Sequence, residues 1–271
     1  MLNSNYDTNS AQQLIRELIS HYTDIPYKEM SLNFDKRVSE SQLLDIHWGV
    51  KRLLKNEPIQ YIIGQAEFLD IIVKVNPSTL IPRPETEELV MKIEQSIDKH
   101  SSPNLNIIDI GTGSGCIAIA IQKITQADVT GVDISEKALQ TAIENASFNN
   151  AKVDFEKVDI LNTQERSSLP KYDIIISNPP YVQNSEKALM AKNVLDFEPN
   201  SALFVDNNNP LVFYKAIADF AKTHLNDGGS IWLEINEYLA KETAELFAQG
   251  FHSVEIISDF RDKARFIRAQ K

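Results

Sequence analysis

Cysteine is almost absent from this sequence, since Cys116 is the single cysteine among 271 residues. One thiol cannot form an intramolecular disulfide, so a reducing compartment such as the cytoplasm is expected. The five histidines are scattered, and no His-Glu-x-x-His pattern occurs. With so few nitrogen and sulfur ligands, the sequence predicts no metal site.

Long apolar runs and positive charge are also scarce. No apolar stretch approaches the roughly 20 residues of a membrane-spanning helix, and the first ten residues are polar, so neither a membrane span nor a signal peptide is expected. The chain has 27 Lys and Arg against 38 Asp and Glu, a formal net charge of -11. Proteins held to nucleic acid mainly through phosphate contacts are normally basic, so this acidity disfavours a direct nucleic-acid substrate.

The first 65 residues carry apolar side chains at helical spacing in two segments, residues 14–22 and 43–54. Ser39 and Gln42 match a capping box at the start of the second segment, and Pro58 resembles a stop signal. No phosphate-binding loop or catalytic cluster occurs here. The sequence predicts a small helical bundle over residues 1–65.

Residues 66–82 change character and favour a β-hairpin connector. The run EFLDIIVKV is rich in β-branched residues and alternates loosely, which fits two short strands joined by a turn. Pro82 and Pro84 then introduce a helix, and acidic residues in its first turn suit a helix N-terminus.

The remainder, residues 83–271, alternates strands and helices. Strand-like runs occupy residues 106–110, 128–133, 152–158, 172–177 and 230–235. This alternation predicts an α/β domain with a parallel, doubly wound sheet. The last two runs, Ser253–Asp259 and Ala264–Ala269, are separated by only Phe-Arg-Asp-Lys, so they should form an antiparallel hairpin.

A glycine loop follows the first of these strands. Gly111, Thr112, Gly113, Ser114 and Gly115 precede an apolar helix, and glycines let a ligand approach the backbone closely. The next position, where a dinucleotide fingerprint has its third glycine, is occupied by Cys116, and no Gly-Lys-Ser/Thr of a P-loop follows. Taken alone, the loop could equally be a plain strand-to-helix turn.

Two aspartates lie at the ends of the next two strands. Asp133 lies about 20 residues after the first glycine, the spacing at which an acidic residue accepts hydrogen bonds from ribose hydroxyls. Asp159 follows the next strand, at the same edge of the expected sheet. Each could be a helix N-cap, but together with the loop they favour nucleoside binding. The missing third glycine and the final hairpin favour S-adenosylmethionine over a nicotinamide, and the sheet resembles the class I methyltransferase fold.

The run DIIISNPPYV ends a buried strand with two prolines, which stop sheet pairing and hold the backbone extended. This could be only a strand stop. It could also be a rigid set of acceptors, because the Asn178 side-chain oxygen and the Pro179 carbonyl could accept both hydrogens of an amide or exocyclic amine. Tyr181 could pack on the planar group. Such a site would act by orienting the nitrogen towards the methyl group.

Asn-Pro-Pro-Tyr in this position resembles two families, the N6-adenine DNA methyltransferases and the protein-(glutamine-N5) methyltransferases of the PrmC/HemK type. Three further segments resemble landmarks of the second family: EPIQYIIGQAEF (57–68), TLIPRPETEELV (79–90) and FEPNSALF (197–204). With the helical N-terminus and the connector, this resemblance covers nearly the whole chain.

The resemblance implies transfer of a methyl group from S-adenosylmethionine to the side-chain nitrogen of the glutamine in the Gly-Gly-Gln loop of peptide-chain release factors, leaving S-adenosylhomocysteine. A cytoplasmic monomer is expected, and residues 1–65 are expected to recognise the release factor, because all the chemical motifs lie beyond Arg83. The implied cofactor-binding residues are Gly111, Thr112, Gly113, Ser114, Gly115, Asp133, Ile134, Asp159, Ile160 and Asn178. The implied substrate-binding residues are Asn178, Pro179, Pro180 and Tyr181, of which Asn178, Pro179 and Tyr181 would be catalytic.

The chain departs from the family pattern at two places. Asn236 stands where a glycine is expected, and Ala264-Arg265 stands where Asp-Arg is expected. Both are predicted to lie outside the catalytic edge and to affect packing only.

Three rival functions stay open on the sequence alone. An adenine methyltransferase would need a target-recognition region and a basic surface, neither of which is evident. A non-catalytic nucleoside-binding module and a nicotinamide dehydrogenase are the others. The complete pairing of the glycine loop with Asn-Pro-Pro-Tyr argues against the module, and Cys116 at the third-glycine position argues against the dehydrogenase.

Overall fold

The computed structural model describes residues 6–23, 25–33, 35–97 and 105–271. The chain divides into two compact units. The first contains residues 1–65 together with 190–198, and the second contains residues 66–189 together with 199–271. Within the described residues, no helix is long and apolar enough to cross a membrane.

The α-helices and β-strands of the described residues alternate through most of the second unit. The helices are α1 Thr8–Tyr22, α2 Glu40–Leu53, α3 Ile59–Ile63, α4 Pro84–Ser96, α5 Cys116–Thr125, α6 Glu136–Phe148, α7 Thr163–Arg166, α8 Lys192–Phe197, α9 Asn200–Leu203, α10 Val212–His224 and α11 Ala240–Ala248. The strands are β1 Gln65–Phe68, β2 Ile71–Lys74, β3 Asn106–Ile110, β4 Asp128–Asp133, β5 Val153–Lys157, β6 Tyr172–Ser177, β7 Val182–Gln183, β8 Phe204–Val205, β9 Leu225–Glu234, β10 Ser253–Ser258 and β11 Ala264–Gln270.

The first unit is a small helical cluster. Its α2 begins with the expected capping box, in which Ser39 accepts from the Gln42 backbone and Gln42 accepts from the Ser39 backbone. Its buried apolar core comes from α1, α2 and α3 and includes Leu18 and Leu53. Pro58 does not end α2, which stops at Leu53. It directly precedes α3, a short helix that the sequence did not predict.

A seven-stranded sheet forms the centre of the second unit, in the order β10-β11-β9-β6-β3-β4-β5. Five strands run parallel, and β11 runs antiparallel to both of its neighbours, β9 and β10. The doubly wound sheet with a C-terminal antiparallel hairpin is therefore confirmed. Its central strands are buried on both faces, which explains why they read as nearly continuous apolar runs.

The β1-β2 pair is tied to the glycine loop through one buried side chain. The Asn145 carboxamide on α6 accepts from the Lys74 backbone N–H at 2.7 Å and donates to the Lys74 and Ser114 carbonyls, each at 2.9 Å. Asn145 is fully buried, so these bonds are shielded from water. One polar side chain thereby fixes the position of the glycine loop relative to the connector.

Candidate active site

A cavity of about 320 Å³ opens at the carboxyl ends of the parallel strands, entirely within the second unit. Open α/β sheets bind ligands at this edge. The cavity is lined by the glycine loop, by the residues after β4, β5 and β6, and by two segments from the family landmarks. Those two segments contribute Thr79, Leu80, Pro82, Arg83 and Thr86, together with Ser201 and Ala202, and Ser78 directly precedes the first of them. The sequence-based assignment of site residues did not include these eight positions.

The glycine loop presents bare backbone to the cavity. Gly111 and Gly113 have φ values of 73° and 57°, which residues with a side chain rarely adopt. A Cβ added at Gly111 would meet no atom within 4 Å, and one at Gly113 would meet only a carbonyl oxygen at 3.9 Å. The space over these residues is therefore open to a ligand. Thr112 and Ser114 also line the cavity.

Gly115 has a different position from the rest of the loop. It does not line the cavity and directly precedes α5, with φ 81°. A Cβ there would lie 3.0 Å from the Ala142 Cβ on α6. This glycine therefore allows α6 to pack closely, and its predicted contact with a cofactor has no counterpart in the cavity lining.

Asp133 joins the end of β4 to the loop. Its Oδ2 accepts from the Gly113 N–H at 2.9 Å, and its Oδ1 accepts from the Ser135 N–H at 2.8 Å. Each carboxylate oxygen has a further lone pair, so both can still accept from ligand hydroxyls. Burial raises the pKa of Asp133 above its usual value, while these backbone donors oppose that shift. The N-cap of α6 is Ser135, which removes the interpretation of Asp133 as a cap.

Asp159, Ile134 and Ile160 also line the cavity. Asp159 accepts from the Leu161 N–H at 2.9 Å, and the N-cap of the following helix α7 is Asn162 rather than Asp159. Ile134 is largely exposed although it lies at the cavity wall, and Ile160 is buried. Apolar walls beside a carboxylate suit a ligand with a flat apolar part and a polyhydroxyl part. This donor and acceptor set fits the adenosine of S-adenosylmethionine.

Asp109 is a buried acid that sequence reasoning did not single out. Its Oδ2 accepts from the Thr112 hydroxyl at 2.6 Å, and its Oδ1 has no hydrogen-bond partner among the described residues. Burial raises its pKa to about 7. Its signal in the sequence is a single acid within the apolar strand that leads into the glycine loop.

Asn178 follows β6 and lines the cavity together with Pro179 and Pro180. Its Nδ2 donates to the Thr86 hydroxyl at 3.0 Å, and no described residue donates to its Oδ1. The carboxamide oxygen is thus available to accept hydrogen bonds from a ligand in the cavity.

Tyr181 lies beyond the cavity lining. Its hydroxyl donates to Glu234 Oε1 at 2.9 Å, while the Thr86 hydroxyl donates to Glu234 Oε2 at 2.7 Å. Glu234 ends β9 and is only 1% exposed. Burial and the Glu234 charge raise the pKa of the Tyr181 phenol well above its usual value, so Tyr181 remains a donor. Burial likewise raises the pKa of Glu234, against the effect of its two hydroxyl donors and of Arg265.

One departure from the family pattern, Asn236, lies beside this site, so the prediction that it lies outside the catalytic edge is wrong. The Asn236 carboxamide donates to the Tyr181 carbonyl at 3.0 Å and to Glu186 at 3.1 Å. Arg265, which matches the family pattern next to the departing Ala264, also lies near the site: it exerts its charge on Glu234 and Tyr181 and donates to Asp259 at 3.2 Å. The strand order explains this, because β11 is the direct neighbour of β9 and carries Arg265 to the Glu234 end.

No group of three or more His, Cys, Asp or Glu side chains in the described part of the chain could hold a metal ion. Cys116 is buried at the start of α5, and burial raises its pKa to about 12. The thiol is therefore a small packed side chain at the cavity wall rather than a reactive nucleophile.

Two protein-family models match separate parts of the chain. Residues 101–255 match the model of a methyltransferase domain, and residues 1–64 match the model of the PrmC N-terminal domain. The fold resembles that of a solved methyltransferase from Pyrococcus furiosus, with a TM-score of 0.55 and 17% identity over 85% of this chain and 98% of that one.

Curated relatives align along most of the chain. A release factor glutamine methyltransferase from Flavobacterium psychrophilum is 40% identical over 98% of this chain and 94% of its own length. One from Bacteroides thetaiotaomicron is 43% identical over 81% of this chain and 78% of its own length. One from Lactococcus lactis is 41% identical over 86% of this chain and 84% of its own length.

Proposed function

The chain belongs to the family of release factor glutamine methyltransferases, and on this premise we propose that it methylates the side-chain amide nitrogen of the glutamine in the Gly-Gly-Gln loop of peptide-chain release factors. The methyl donor is S-adenosylmethionine. The observation that carries the proposal is the available Asn178 Oδ1 at the cavity wall, next to two prolines that hold the backbone rigid. The comparisons do not favour the adenine methyltransferase as an alternative.

The cofactor half of the cavity would use the residues after β3, β4 and β5. Asp133 would accept from the ribose hydroxyls, since both of its oxygens keep a free lone pair. Ile134 and Ile160 would enclose the adenine, with Asp159 near its polar edge. The backbone of Gly111 to Ser114 would lie against the amino-acid part. Bound S-adenosylmethionine supplies a methyl group on a positively charged sulfur.

The acceptor half would be built from Asn178, Pro179, Pro180 and Tyr181. An amide nitrogen is a poor nucleophile because its lone pair is conjugated with the carbonyl. The Asn178 Oδ1 and the Pro179 carbonyl would accept the two N–H hydrogens of the glutamine, so its nitrogen faces the methyl group. This is catalysis by orientation, which requires no strong base. Tyr181, whose hydroxyl is bound to Glu234, would support this arrangement from behind the cavity wall.

The first unit would recognise the release factor. It matches the PrmC N-terminal domain, and α2 exposes Leu43, Leu44 and Trp48 to solvent. Exposed aromatic and aliphatic groups on one helix are typical anchors of a protein interface. The acidic surface argues against nucleic acid as the substrate. We also propose that the enzyme acts as a monomer and in the cytoplasm, where release factors work.

The test is mass spectrometry of purified release factor after incubation with enzyme and S-adenosylmethionine. We expect one added methyl group on the Gly-Gly-Gln glutamine, and none when Asn178 is replaced by Ala. DNA offered as a competing acceptor should remain unmodified. Methylated adenine together with unmodified release factor would contradict the proposal.

A further inference from the structure

We propose that Glu234 is a positioning residue that fixes the direction of a hydrogen-bond chain, so that Asn178 presents its oxygen rather than its amino group to the substrate. This inference rests on the proposed function and deepens it. The chain runs from Asn178 Nδ2 to the Thr86 hydroxyl and from there to Glu234 Oε2, with distances of 3.0 and 2.7 Å. Tyr181 donates to the other Glu234 oxygen at 2.9 Å.

The direction of the chain follows from what each group can donate. An ionised carboxylate only accepts, so Thr86 must use its one hydroxyl hydrogen on Glu234. The Thr86 oxygen can then only accept from Asn178, which must turn its NH₂ group towards Thr86. The Asn178 Oδ1 is left for the cavity. A carboxamide turned the other way would offer two donors to a substrate amide that itself needs acceptors.

Burial strengthens the preference of the hydrogen-bond chain for this direction. Thr86 is 3% exposed and Glu234 is 1% exposed, so water does not compete for these bonds. The links connect α4, β9 and the segment after β6, which lie far apart in the sequence. A turn of Asn178 would leave buried donors or acceptors without partners, and such losses are costly.

Glu234→Gln is the informative substitution, because it keeps the shape and replaces one acceptor oxygen by an NH₂ group that donates. The buried Tyr181 hydroxyl still needs an acceptor, so the carbonyl of the introduced amide should face Tyr181 and its NH₂ group should face Thr86. Thr86 then accepts from the introduced amide and gives its own hydrogen to Asn178. This favours the turned Asn178, with its NH₂ group in the cavity. We expect kcat to fall by about 10- to 100-fold.

A second substitution, Asn178→Asp, should restore the direction of the hydrogen-bond chain when it is combined with Glu234→Gln. Asn178→Asp alone gives Thr86 two carboxylates but one hydrogen, so it should also reduce kcat. In the Glu234→Gln, Asn178→Asp double variant, the introduced amide donates to Thr86, and Thr86 donates to one oxygen of the introduced carboxylate. The other oxygen of that carboxylate faces the cavity, and the pair keeps the wild-type charge. We expect the double variant to exceed each single variant in kcat by several-fold, a strongly non-additive result.

The experiment measures release factor methylation, the affinity for S-adenosylhomocysteine by calorimetry, and the thermal midpoint of the full-length variants. We expect the losses in kcat, with cofactor affinity and thermal midpoint close to the wild type. Tyr214→Phe is the matched control, because the Tyr214 hydroxyl donates to the Glu234 backbone carbonyl at 3.2 Å and does not touch the carboxylate. It should keep wild-type kcat.

Two results would overturn the inference: Glu234→Gln with wild-type kcat, or a double variant that is no faster than the faster of the two single variants. Failure of the proposed function would look different, since the wild-type enzyme itself would leave release factor unmethylated. A purely structural role for Glu234 would lower the thermal midpoint and would give no recovery in the double variant.

Discussion

The two halves of the cavity are built in different ways. The cofactor half uses residues close together in the chain: the glycine loop follows β3, and Asp133 ends the next strand and accepts from Gly113. The acceptor half joins Thr86 on α4, Asn178 after β6 and Glu234 at the end of β9. Local sequence therefore specifies the first half, whereas the strand order of the sheet assembles the second.

This difference predicts that the acceptor half carries the chemical step and the cofactor half carries affinity. The orienting groups of the acceptor half form a buried network, which holds a reacting amide more firmly than solvated side chains could. The cofactor half offers open backbone and a carboxylate with spare acceptor capacity. Substitutions in the acceptor half should thus lower kcat, whereas substitutions in the cofactor half should weaken cofactor binding.

The largest expected effect is on kcat after Asn178→Ala. Loss of the acceptor oxygen should reduce kcat by about 100- to 1,000-fold, the range seen when one group that stabilises a transition state is removed. The affinity for S-adenosylmethionine should change less than about threefold. Single-turnover methylation and calorimetry measure the two quantities. A large loss of cofactor affinity with normal turnover at saturation would break the division between the halves.

The second-largest effect is expected for Asp133→Ala, which should change cofactor affinity rather than kcat. It removes charge-assisted acceptors for the ribose and should weaken S-adenosylmethionine binding by about 10- to 100-fold, or ~1.5–3 kcal/mol. Near-normal kcat is expected at saturating cofactor. Calorimetry on the folded variant is the test, and Asp128→Ala, at the other end of the same strand β4, is the control. Unchanged affinity would remove Asp133 from the cofactor site.

How much the sequence could predict follows the same division. The parallel sheet, the final hairpin, the capping box at Ser39 and the cavity position of Asp133 all come from local pattern, and the structure has them. Thr86 and Glu234 were missed because their meaning depends on contacts between distant segments. Asn236 was misplaced for the same reason, because its contact with the Tyr181 carbonyl joins the segment after β9 to the segment after β6.

A third prediction separates packing from cofactor contact within the glycine loop. Gly115→Ala should reduce the free energy of unfolding by about 2–3 kcal/mol, because φ is 81° and the new Cβ would lie 3.0 Å from Ala142. Gly228→Ala is the matched control: φ is 80°, but a Cβ there meets nothing within 4 Å, so only about 1 kcal/mol should be lost. Denaturant unfolding measures both. Equal losses would show that close packing of α6 is not the reason for Gly115.

The smallest expected effect is a shift of the acid limb in the dependence of kcat on pH. Protonation of Glu234 would add a hydrogen where Thr86 or Tyr181 must donate, so kcat should fall as pH decreases through the pKa of Glu234. Burial raises that pKa, which places the limb above the pH at which an exposed glutamate titrates. The charged and titratable groups that face Glu234 are Glu85 on α4, Arg265 on β11, which is paired with Asp259, and the phenols of Tyr181 and Tyr214.

Glu85 allows this shift to be tested without altering the hydrogen-bond chain. Its negative charge raises the pKa of Glu234, so Glu85→Gln should move the acid limb of kcat to lower pH while leaving the plateau at neutral pH unchanged. The profile is measured at saturating S-adenosylmethionine, so that titration of groups in the cofactor half, including Asp109 with its pKa of about 7, influences kcat least. A limb that stays in place in Glu85→Gln would assign it to a group other than Glu234. A limb that moves to lower pH would assign it to Glu234, the buried carboxylate at the end of the hydrogen-bond chain that starts at Asn178.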